Sequence, residues 1–404
     1  MKNKSDLSSG RLALDEILQA ELEILASSGL HRRLCRIDEV GNGRAFINGR
    51  ELIAFGSNNY LGLAGHPELK KAAAHALEWG VGATGSRLTT GNFALHELLE
   101  QDIARFKHAE AAIIFSSGYA ANVGVIPALA EKQDLILSDS LNHASLIDGC
   151  RLSRAEVRIY NHCDTDHVRN LLSDRSSFRR CLVTTDSVFS MDGDIAPLNR
   201  LVEICDGNDA WLLVDDAHGT GVYGERGSGL VEHCGLVGRV HIQMGTLSKA
   251  VGAAGAFVAG SETLIDFLRN KARSFIFSTA SSPADVAAAR KSLELIGAEP
   301  ERRDVLRKNI KVMRDGLAEL GLTVLPGDSP IIPLIIGDAD EAVAVSSNLE
   351  ASGIWIPAIR PPTIPVGTSR LRITVTAAHS EDDILTALAV INNTVQKQLT
   401  ARTP

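Results

Sequence analysis

Short apolar runs that end in polar or glycine-rich residues recur along the first two thirds of the chain. Runs of about five residues favour strands over helices, and their uniform apolarity is typical of strands buried on both faces of a parallel sheet. The predicted strands span residues 51–55, 111–115, 134–139, 180–186, 211–214 and 240–244. With helices between them, these strands predict an α/β fold.

Helical periodicity marks other elements. From about Arg11 to Gly29, apolar residues recur at helical spacing with acidic residues between them, which predicts an amphipathic N-terminal helix. Further helices are predicted to begin near residues 96 and 116, and another to run from Ala284 to about Ile296. Strands are also predicted at 274–279, 330–336, 354–356 and 371–375, and the last three belong to a smaller C-terminal unit.

The runs at 211–214 and 240–244 each deliver polar residues at their carboxyl ends. Asp215, Asp216 and His218 follow the first run, and Thr246 and Lys249 follow the second. Carboxyl ends of parallel strands lie at one edge of a sheet, where open α/β folds bind their ligands. Lys249 has small and apolar neighbours, so loss of hydration should lower its pKa toward that of a nucleophilic amine. The alternative for any single lysine is a solvated position in a loop.

The presence of Asp215 favours a cofactor site at Lys249 over a solvated lysine in a loop. Enzymes that use pyridoxal phosphate (PLP) hold its aldehyde on a lysine and pair its ring nitrogen with a carboxylate. The segments VDDAHGTG at 214–221 and TLSK at 246–249 resemble the α-oxoamine synthase family of fold-type I PLP enzymes, and the likeness extends from about Phe55 to His379. This resemblance implies a mostly parallel seven-stranded sheet flanked by helices. It also implies an N-terminal helix and arm at 1–50, a large PLP-binding domain at 51–285 and a small α+β domain at 286–404.

Several residues are expected to hold the cofactor. A helix begins after the run 111–115, and free amides at a helix N-terminus bind phosphate, so the N–H groups of Gly118 and Tyr119 should hold the cofactor phosphate. A plain helix cap is the alternative. The resemblance implies the other contacts: Lys249 as Schiff-base lysine and catalytic base, Asp215 at the ring nitrogen, His143 stacked on the ring, His218 and Ser190 near the phenolic oxygen, Thr246 in the same site, and Ser278 and Thr279 at the phosphate of a neighbouring subunit. A homodimer with shared active sites is therefore expected.

The resemblance also implies the substrates. The expected reaction is the decarboxylative condensation of L-alanine with a pimeloyl thioester, as in biotin biosynthesis, with coenzyme A or acyl carrier protein as the thiol carrier. The expected substrate contacts are Arg32 or Arg33 for the acyl chain, Asn58 near the amino-acid carboxylate, Ser86 beside the substrate Cα, Thr363, and Arg372 with Arg370 as its alternative. A guanidinium can clamp a carboxylate through two hydrogen bonds. Family members that use glycine or serine share the cofactor residues and stay open as alternatives.

Composition narrows the classes of function. The 404 residues carry a formal net charge of −8, which argues against a nucleic-acid surface. The six cysteines show no C-x-x-C spacing, so reduced thiols in a cytoplasmic protein are expected, without a disulfide framework or a zinc site. No apolar run approaches the length of a membrane span, and the polar N-terminus is not followed by an apolar secretory segment.

Two rival functions come from other classes. The glycine-rich stretch at 80–92 lacks the lysine of a P-loop and the strand before a Rossmann fingerprint, which disfavours a nucleotide-binding module. A metal hydrolase could use Asp215, Asp216 and His218. The segment 161–167 has the composition of a metal site, but its spacing matches no metal-ligand pattern, so a polar turn and no metal site are predicted.

Overall fold

The structure, a computed structural model, describes residues 4–32, 34–41 and 43–400. Its strands are β1 Ile37–Gly41, β2 Arg44–Ile47, β3 Arg50–Ala54, β4 Ala111–Phe115, β5 Leu135–Asp139, β6 Glu156–Tyr160, β7 Cys181–Asp186, β8 Trp211–Asp215, β9 Ile242–Thr246, β10 Ala256–Gly260, β11 Ile331–Gly337, β12 Ile354–Trp355, β13 Ala358–Ile359 and β14 Ser369–Thr374. Its α-helices are α1 Lys4–Ser27, α2 Pro67–Ala76, α3 Ala94–Phe106, α4 Gly118–Leu129, α5 Ala144–Ser153, α6 Thr165–Ser173, α7 Leu198–Gly207, α8 Leu230–His233, α9 Glu262–Lys271, α10 Arg273–Ile276, α11 Pro283–Ala298, α12 Glu301–Glu319, α13 Ala339–Ala351 and α14 Glu381–Thr400. Strands and helices alternate through the middle of the chain, as the α/β prediction requires.

The large sheet contains seven strands in the order β4-β10-β9-β8-β7-β5-β6. The pairs β9–β8, β8–β7, β7–β5 and β5–β6 are parallel, whereas β10 runs antiparallel to both of its neighbours. This arrangement confirms the prediction of a mostly parallel seven-stranded sheet.

β8 lies at the centre of this sheet and is buried on both faces. Leu212 and Val214 pack into the hydrophobic core on one side, and Leu213 packs into the core on the other side. The uniform apolarity of this run therefore reflects helices that cover both faces. Because side chains alternate along a strand, consecutive residues at the carboxyl end of β8 also point to opposite sides.

Two smaller sheets lie outside the large one, and the first of them joins the two ends of the chain. One has the order β1-β2-β3-β12 and the other the order β11-β14-β13. β12, from the C-terminal unit, pairs in parallel with β3, and the amide of Thr374 donates to the carbonyl of Phe55 at 2.7 Å. The N-terminal strands thus pack against the C-terminal unit, and the domain borders after residues 50 and 285 stay predictions.

The strand predicted at 274–279 is wrong. Arg273–Ile276 form the short helix α10, and Thr279 makes an isolated strand-like bridge to Ser86. Phe275 is buried with its ring edge-on to Phe115, while Phe277 is 70% exposed, so the two phenylalanines do not share one face as they would in a strand. The packing of Phe275 outweighs the β-propensity of this aromatic segment.

The predicted N-terminal helix is present as α1, but the described part of the chain leaves its apolar side chains exposed. Each of the following is at least 41% exposed: Leu14, Ile17, Leu18, Leu22, Ile24 and Leu25. The helix is therefore amphipathic without a core to cover its apolar face. Among the described residues, no helix combines the length and the apolarity that crossing a bilayer requires.

Candidate active site

The carboxyl ends of the central strands converge on Lys249. Asp215 ends β8, Thr246 ends β9, and Lys249 follows in the loop after β9. The Lys249 ammonium makes no hydrogen bond or ion pair with the described residues, and its side chain is partly exposed. Burial lowers the pKa of Lys249, an effect that the charges of Asp215 and Asp186 oppose and that of Arg372 reinforces. The net shift is in the direction that makes an amine more nucleophilic.

Asp215 is buried, and neutral donors hold its carboxylate. Oδ2 accepts a hydrogen bond from Asn122 Nδ2 at 2.7 Å, and Oδ1 accepts one from the backbone amide of Ala217 at 3.0 Å. Asn122 lies on α4, and its side-chain oxygen is buried without a partner among the described residues. Sequence reasoning gave Asn122 no role, because nothing in its spacing shows that it reaches β8.

His143 caps α5 beside the carboxyl end of β5. Its Nδ1 lies 2.8 Å from the Ser145 hydroxyl, and its backbone amide donates to Asp186 Oδ2 at 2.7 Å. Burial lowers the pKa of His143, the charge of Asp215 opposes this shift, and that of Lys249 adds to it. Burial also raises the pKa of Asp186 well above its ordinary value, and the neighbouring Asp215 carboxylate adds to that shift. The structure thus brings His143 into one electrostatic cluster with Asp215 and Lys249, and it adds Asp186, which sequence reasoning missed.

His218 is buried, and Tyr60 fixes its ring. Tyr60 Oη lies 2.6 Å from His218 Nδ1 and 3.2 Å from Asn58 Oδ1. Burial, together with the nearby charge of Lys249, lowers the pKa of His218 well below its ordinary value, so the ring is neutral at pH 7. Sequence reasoning missed Tyr60 because its segment has the composition of a loop, and its partner lies far along the chain.

Arg370 and Arg372 lie on the same strand, β14, but have different partners. Arg370 forms an ion pair with Asp192, which neutralises it. Arg372 contacts neutral oxygens of the described chain: the Ser190 carbonyl at 2.5 Å, Asn58 Oδ1 at 3.1 Å and Thr374 Oγ1 at 3.0 Å. Of the two candidates for binding a carboxylate, Arg372 is therefore the one whose charge no described carboxylate compensates.

The N-terminus of α4 fits the phosphate of PLP. The helix has 12 residues beginning at Gly118, and the Ser117 hydroxyl caps it by accepting from the Ala120 amide at 3.1 Å. A Cβ at Gly118 would come within 2.8 Å of Thr246 Cγ2, so glycine lets the helix end approach β9 closely. The Thr246 hydroxyl is buried there and has no hydrogen-bond partner among the described residues. A free hydroxyl next to the N-terminus of a helix suits an anionic group.

Two further predicted residues present backbone atoms to the site. Tyr119 is the second residue of α4, and its half-exposed side chain turns away to donate to Asp148 at 2.6 Å. Ser190 presents its carbonyl to Arg372, and its hydroxyl makes no hydrogen bond with the described residues. The amide of Tyr119 and the hydroxyl of Ser190 stay predicted cofactor contacts.

The remaining predicted residues make no hydrogen bond or ion pair with Lys249 in the described chain. Ser278 and Thr279 line a small cleft beside Ser116, and Thr279 bridges to Ser86. Within the described chain, no hydrogen bond connects these residues to the Lys249 cluster. Two other predicted substrate contacts, Thr363 and Arg32, are exposed, and the alternative Arg33 lies outside the described residues.

Lys249, Asp215 and the N-terminus of α4 lie together at the carboxyl edge of a mostly parallel seven-stranded sheet, the arrangement that fold-type I PLP-dependent transferases use. The profile of the family described as aminotransferase class I and II matches residues 50–391. The chain belongs to this family.

Comparison with known proteins gives relatives of two kinds. The 8-amino-7-oxononanoate synthase of Lysinibacillus sphaericus is 48% identical over 373 residues, which cover 92% of this chain and 96% of that protein. The 8-amino-7-oxononanoate synthase 2 of Bacillus subtilis is 48% identical over 374 residues, which also cover 92% of this chain and 96% of that protein. A serine palmitoyltransferase of S. paucimobilis with a bound PLP–myriocin aldimine superposes with a TM-score of 0.91 at 32% identity, over 96% of this chain and 98% of that one. An 8-amino-7-oxononanoate synthase of Francisella tularensis superposes with a TM-score of 0.74 at 29% identity, over 86% and 99%.

Proposed function

We propose that the chain catalyses the PLP-dependent decarboxylative condensation of L-alanine with a pimeloyl thioester. The products are 8-amino-7-oxononanoate, carbon dioxide and the free thiol carrier. One observation carries the proposal: Lys249, an amine of lowered pKa, lies in the same cluster as Arg372, whose charge no described carboxylate compensates. The 48% identity to proteins named for this activity, over 92% of the chain, supports this choice of substrates.

Arg372 is proposed to bind the carboxylate of the amino acid, and Lys249 is proposed to act on its Cα proton. A guanidinium binds a carboxylate through two parallel hydrogen bonds, and Arg372 is oriented for this by its contacts with Ser190 and Asn58. The carboxylate of L-alanine binds there, and its Cα then lies toward Lys249. The amine of Lys249 loses its proton more readily because burial lowers its pKa, so it can remove the Cα proton and later return one.

When bound, PLP supplies an electron sink for the negative charge that develops at the substrate Cα. Asp215 would pair with the ring nitrogen and keep it protonated, and its bonds to Asn122 and the Ala217 amide hold that carboxylate in place. His143 would lie against the face of the ring. His218 is neutral because burial lowers its pKa, so it would contact the phenolic oxygen without adding a positive charge.

The N-terminus of α4 would hold the phosphate of the cofactor. The amides of Gly118 and Tyr119 and the free hydroxyl of Thr246 are its proposed partners. Ser278 and Thr279, which line a cleft beside Ser116, are the proposed partners of the phosphate in a neighbouring subunit. The exposed apolar face of α1 also favours a homodimer, since association would remove apolar surface from water.

Coenzyme A and acyl carrier protein are both candidate acyl carriers for this substrate. Arg32, the described one of the two candidates for the acyl chain, is exposed and therefore accessible to a substrate that approaches from outside. The cytoplasmic location is likewise a prediction.

A serine-using reaction is the second candidate. It is favoured by the superposition on serine palmitoyltransferase, whose TM-score of 0.91 exceeds the 0.74 of the F. tularensis enzyme. Sequence identity instead favours the alanine-using reaction. The chain is 32% identical to the serine palmitoyltransferase and 48% identical to the 8-amino-7-oxononanoate synthase of L. sphaericus.

The decisive experiment is a substrate panel. The purified protein, loaded with PLP, is given L-alanine, glycine or L-serine with each of pimeloyl-CoA, pimeloyl acyl carrier protein, acetyl-CoA and palmitoyl-CoA. Release of carbon dioxide and the mass of the product are measured. The proposal expects L-alanine with a pimeloyl thioester to give the highest kcat/KM, and a higher value for L-serine with palmitoyl-CoA would replace it with the second candidate.

A further inference from the structure

The ring of His162 lies between two carboxylates. Nδ1 is 2.9 Å from Asp139 Oδ1, and Nε2 is 2.6 Å from Asp194 Oδ2. A carboxylate only accepts hydrogen bonds, so both ring nitrogens must carry a proton for both contacts to be hydrogen bonds. Burial alone would lower the pKa of His162, but the hydrogen bonds to Asp139 and Asp194 outweigh it and raise the pKa to about 12. The side chain is therefore an imidazolium at neutral pH.

One end of this bridge is anchored in the large sheet. Asp139 is the last residue of β5, and its side chain is 1% exposed. Its Oδ1 also accepts from the Leu141 amide at 2.9 Å, and its Oδ2 accepts from the Cys163 amide at 2.9 Å. A carboxylate held by so many donors at a strand end is a rigid support for His162.

The other end of the bridge is a loop of the active site. Asp194 ends the segment 189–194, which we call the Ser190 loop, and its carbonyl accepts from the Phe189 amide at 3.0 Å. The Phe189 ring packs edge-on against the imidazole at 4.4 Å between centroids. His162 thus ties both ends of the Ser190 loop to β5.

The middle of the Ser190 loop contacts both arginines of β14. The Ser190 carbonyl accepts from Arg372 Nε at 2.5 Å, and Asp192 pairs with Arg370. Gly193 packs against β11 so closely that a Cβ there would come within 2.2 Å of the Ile331 carbonyl. A displacement of the loop would therefore change the orientation of Arg372.

We propose that His162 is a positioning residue, whose imidazolium fixes the Ser190 loop so that the Ser190 carbonyl holds Arg372 in the orientation that binds the substrate carboxylate. The identity of that substrate rests on the proposed function, but the tie between His162 and the loop does not. Without the cation, Asp139 and Asp194 would face each other as like charges, and the loop would move away from β5.

The first test measures the loop itself. Hydrogen exchange of the peptide that covers residues 187–196 is compared in three cofactor-loaded proteins: the wild type, His162→Gln and the control His167→Gln. His167 lies in the first turn of α6, where its Nδ1 accepts a hydrogen bond from the Asn161 amide. We expect exchange at least about tenfold faster in His162→Gln, the size of one lost charge-assisted hydrogen bond, and wild-type exchange in the control. Unchanged exchange in a folded His162→Gln protein would overturn the proposal. This test needs no substrate, so it stands even if the panel identifies another amino acid.

The second test separates positioning from a merely structural role. For His162→Gln, we expect KM for the amino acid to rise about tenfold or more, while kcat and KM for the thioester change less than about threefold. In the double variant His162→Gln/Asp194→Asn, the opposing charge is gone, so KM should return part of the way to the wild-type value. Equal changes in kcat and in both KM values, or a double variant whose losses simply add, would contradict the proposal.

A metal ion is the rival explanation for this cluster. Ligand atoms of Asp139, His162 and Cys163 lie within 4.8 Å of one another. A metal would need one nitrogen of the His162 ring, but carboxylates engage both. Elemental analysis of the wild type is expected to find no stoichiometric metal. A stoichiometric metal that is lost in His162→Gln would overturn the imidazolium bridge.

Discussion

Asp215 and Asp216 are consecutive, yet their carboxylates point to opposite sides of β8. Asp215 accepts a hydrogen bond from Asn122 in the cluster around Lys249. Asp216 instead forms a fully buried ion pair with Lys107 at 2.9 Å, at the end of α3. The alternation of side chains along the strand thus gives one carboxylate to the active site and the other to the core.

We therefore expect different consequences from the two asparagine substitutions. Asp215→Asn should lower kcat at least about 100-fold, because an amide cannot compensate a protonated ring nitrogen, and it should keep the stability. Asp216→Asn leaves Lys107 buried without its partner, which should lower the free energy of unfolding by about 3–5 kcal/mol. Urea denaturation and steady-state kinetics measure the two effects. Equal losses of activity at equal stability would show that the partner of the ring nitrogen is misassigned.

Lys249→Ala should abolish turnover and leave the fold intact. No other described side chain offers an amine at this position, and loss of a general base typically costs about 10²–10⁴-fold in rate. The fold should persist because the Lys249 ammonium makes no hydrogen bond or ion pair with the described residues. Turnover, melting temperature and borohydride labelling of the peptide that contains residue 249 are the measurements, with Lys311→Ala, an exposed lysine paired to Asp315, as the control. Substantial multiple turnover in Lys249→Ala without added amine would contradict the assignment of Lys249 as the catalytic base.

The fold was predictable where burial leaves a pattern in the sequence. The apolar runs that became β4, β5, β7 and β8 are covered by helices on both faces, so each is uniformly apolar and short. The prediction of a strand at 274–279 was wrong because its aromatic residues favour strands, whereas the contact between Phe275 and Phe115 that decides its conformation is tertiary. Local patterns do not record such contacts.

The residues of the active site were predictable only where they follow an apolar run directly. Asp215 and Lys249 follow apolar runs directly, and a strand end points to a ligand site. Asn122 and Tyr60 escaped notice because they act on partners 93 and 158 residues away in the sequence. His162 escaped notice for the same reason, since its two carboxylates come from the end of β5 and from the Ser190 loop, and no spacing within 161–167 shows them.

Arg372→Lys should weaken binding of the amino acid. Lysine keeps the charge, but it cannot make the two parallel hydrogen bonds of a guanidinium, nor can it keep the bonds to Ser190 and Asn58 together. We expect KM for the amino acid to rise about tenfold or more. Arg370→Lys serves as the comparison, since a lysine can still pair with Asp192 and should change that KM less. The measurement is KM for the amino acid by steady-state kinetics at saturating thioester. A larger rise in KM for Arg370→Lys than for Arg372→Lys would make Arg370 the carboxylate-binding residue.

The stability that His162 contributes should depend on pH in a defined direction. Its pKa in the folded chain, about 12, lies above its ordinary value of 6.5. The contribution is therefore complete below pH 6.5, and it falls as the pH rises toward 12, because the unfolded chain releases the proton first. The difference in Tm between wild type and His162→Gln should accordingly be largest near pH 6 and smaller at pH 8 and pH 9. A difference that grows over this range would mean that His162 is neutral in the folded chain.

The choice between alanine and glycine is predicted to involve Ser86. In the glycine-specific branch of the resembling family, a threonine occupies the position before the motif arginine, whereas Ser86 precedes Arg87 here. The structure places Ser86 in a turn, where its carbonyl accepts from the Thr89 amide at 3.0 Å and its hydroxyl lies 3.2 Å from Thr89 Oγ1. Its bridge to Thr279 puts it with the residues proposed to serve a neighbouring subunit.

We expect Ser86→Thr to lower kcat/KM for L-alanine relative to glycine. The added methyl group would occupy space beside the substrate Cα, and a contact of that size discriminates by roughly 1–3 kcal/mol, or tens-fold. Thr89→Ser is the matched control, because it alters the hydroxyl partner of Ser86 and adds no bulk to the turn. The ratio of kcat/KM for the two amino acids is the measurement. If that ratio stays the same in an active Ser86→Thr enzyme, or shifts equally in Thr89→Ser, then Ser86 only closes the turn, and the selection of alanine must come from other residues around the substrate.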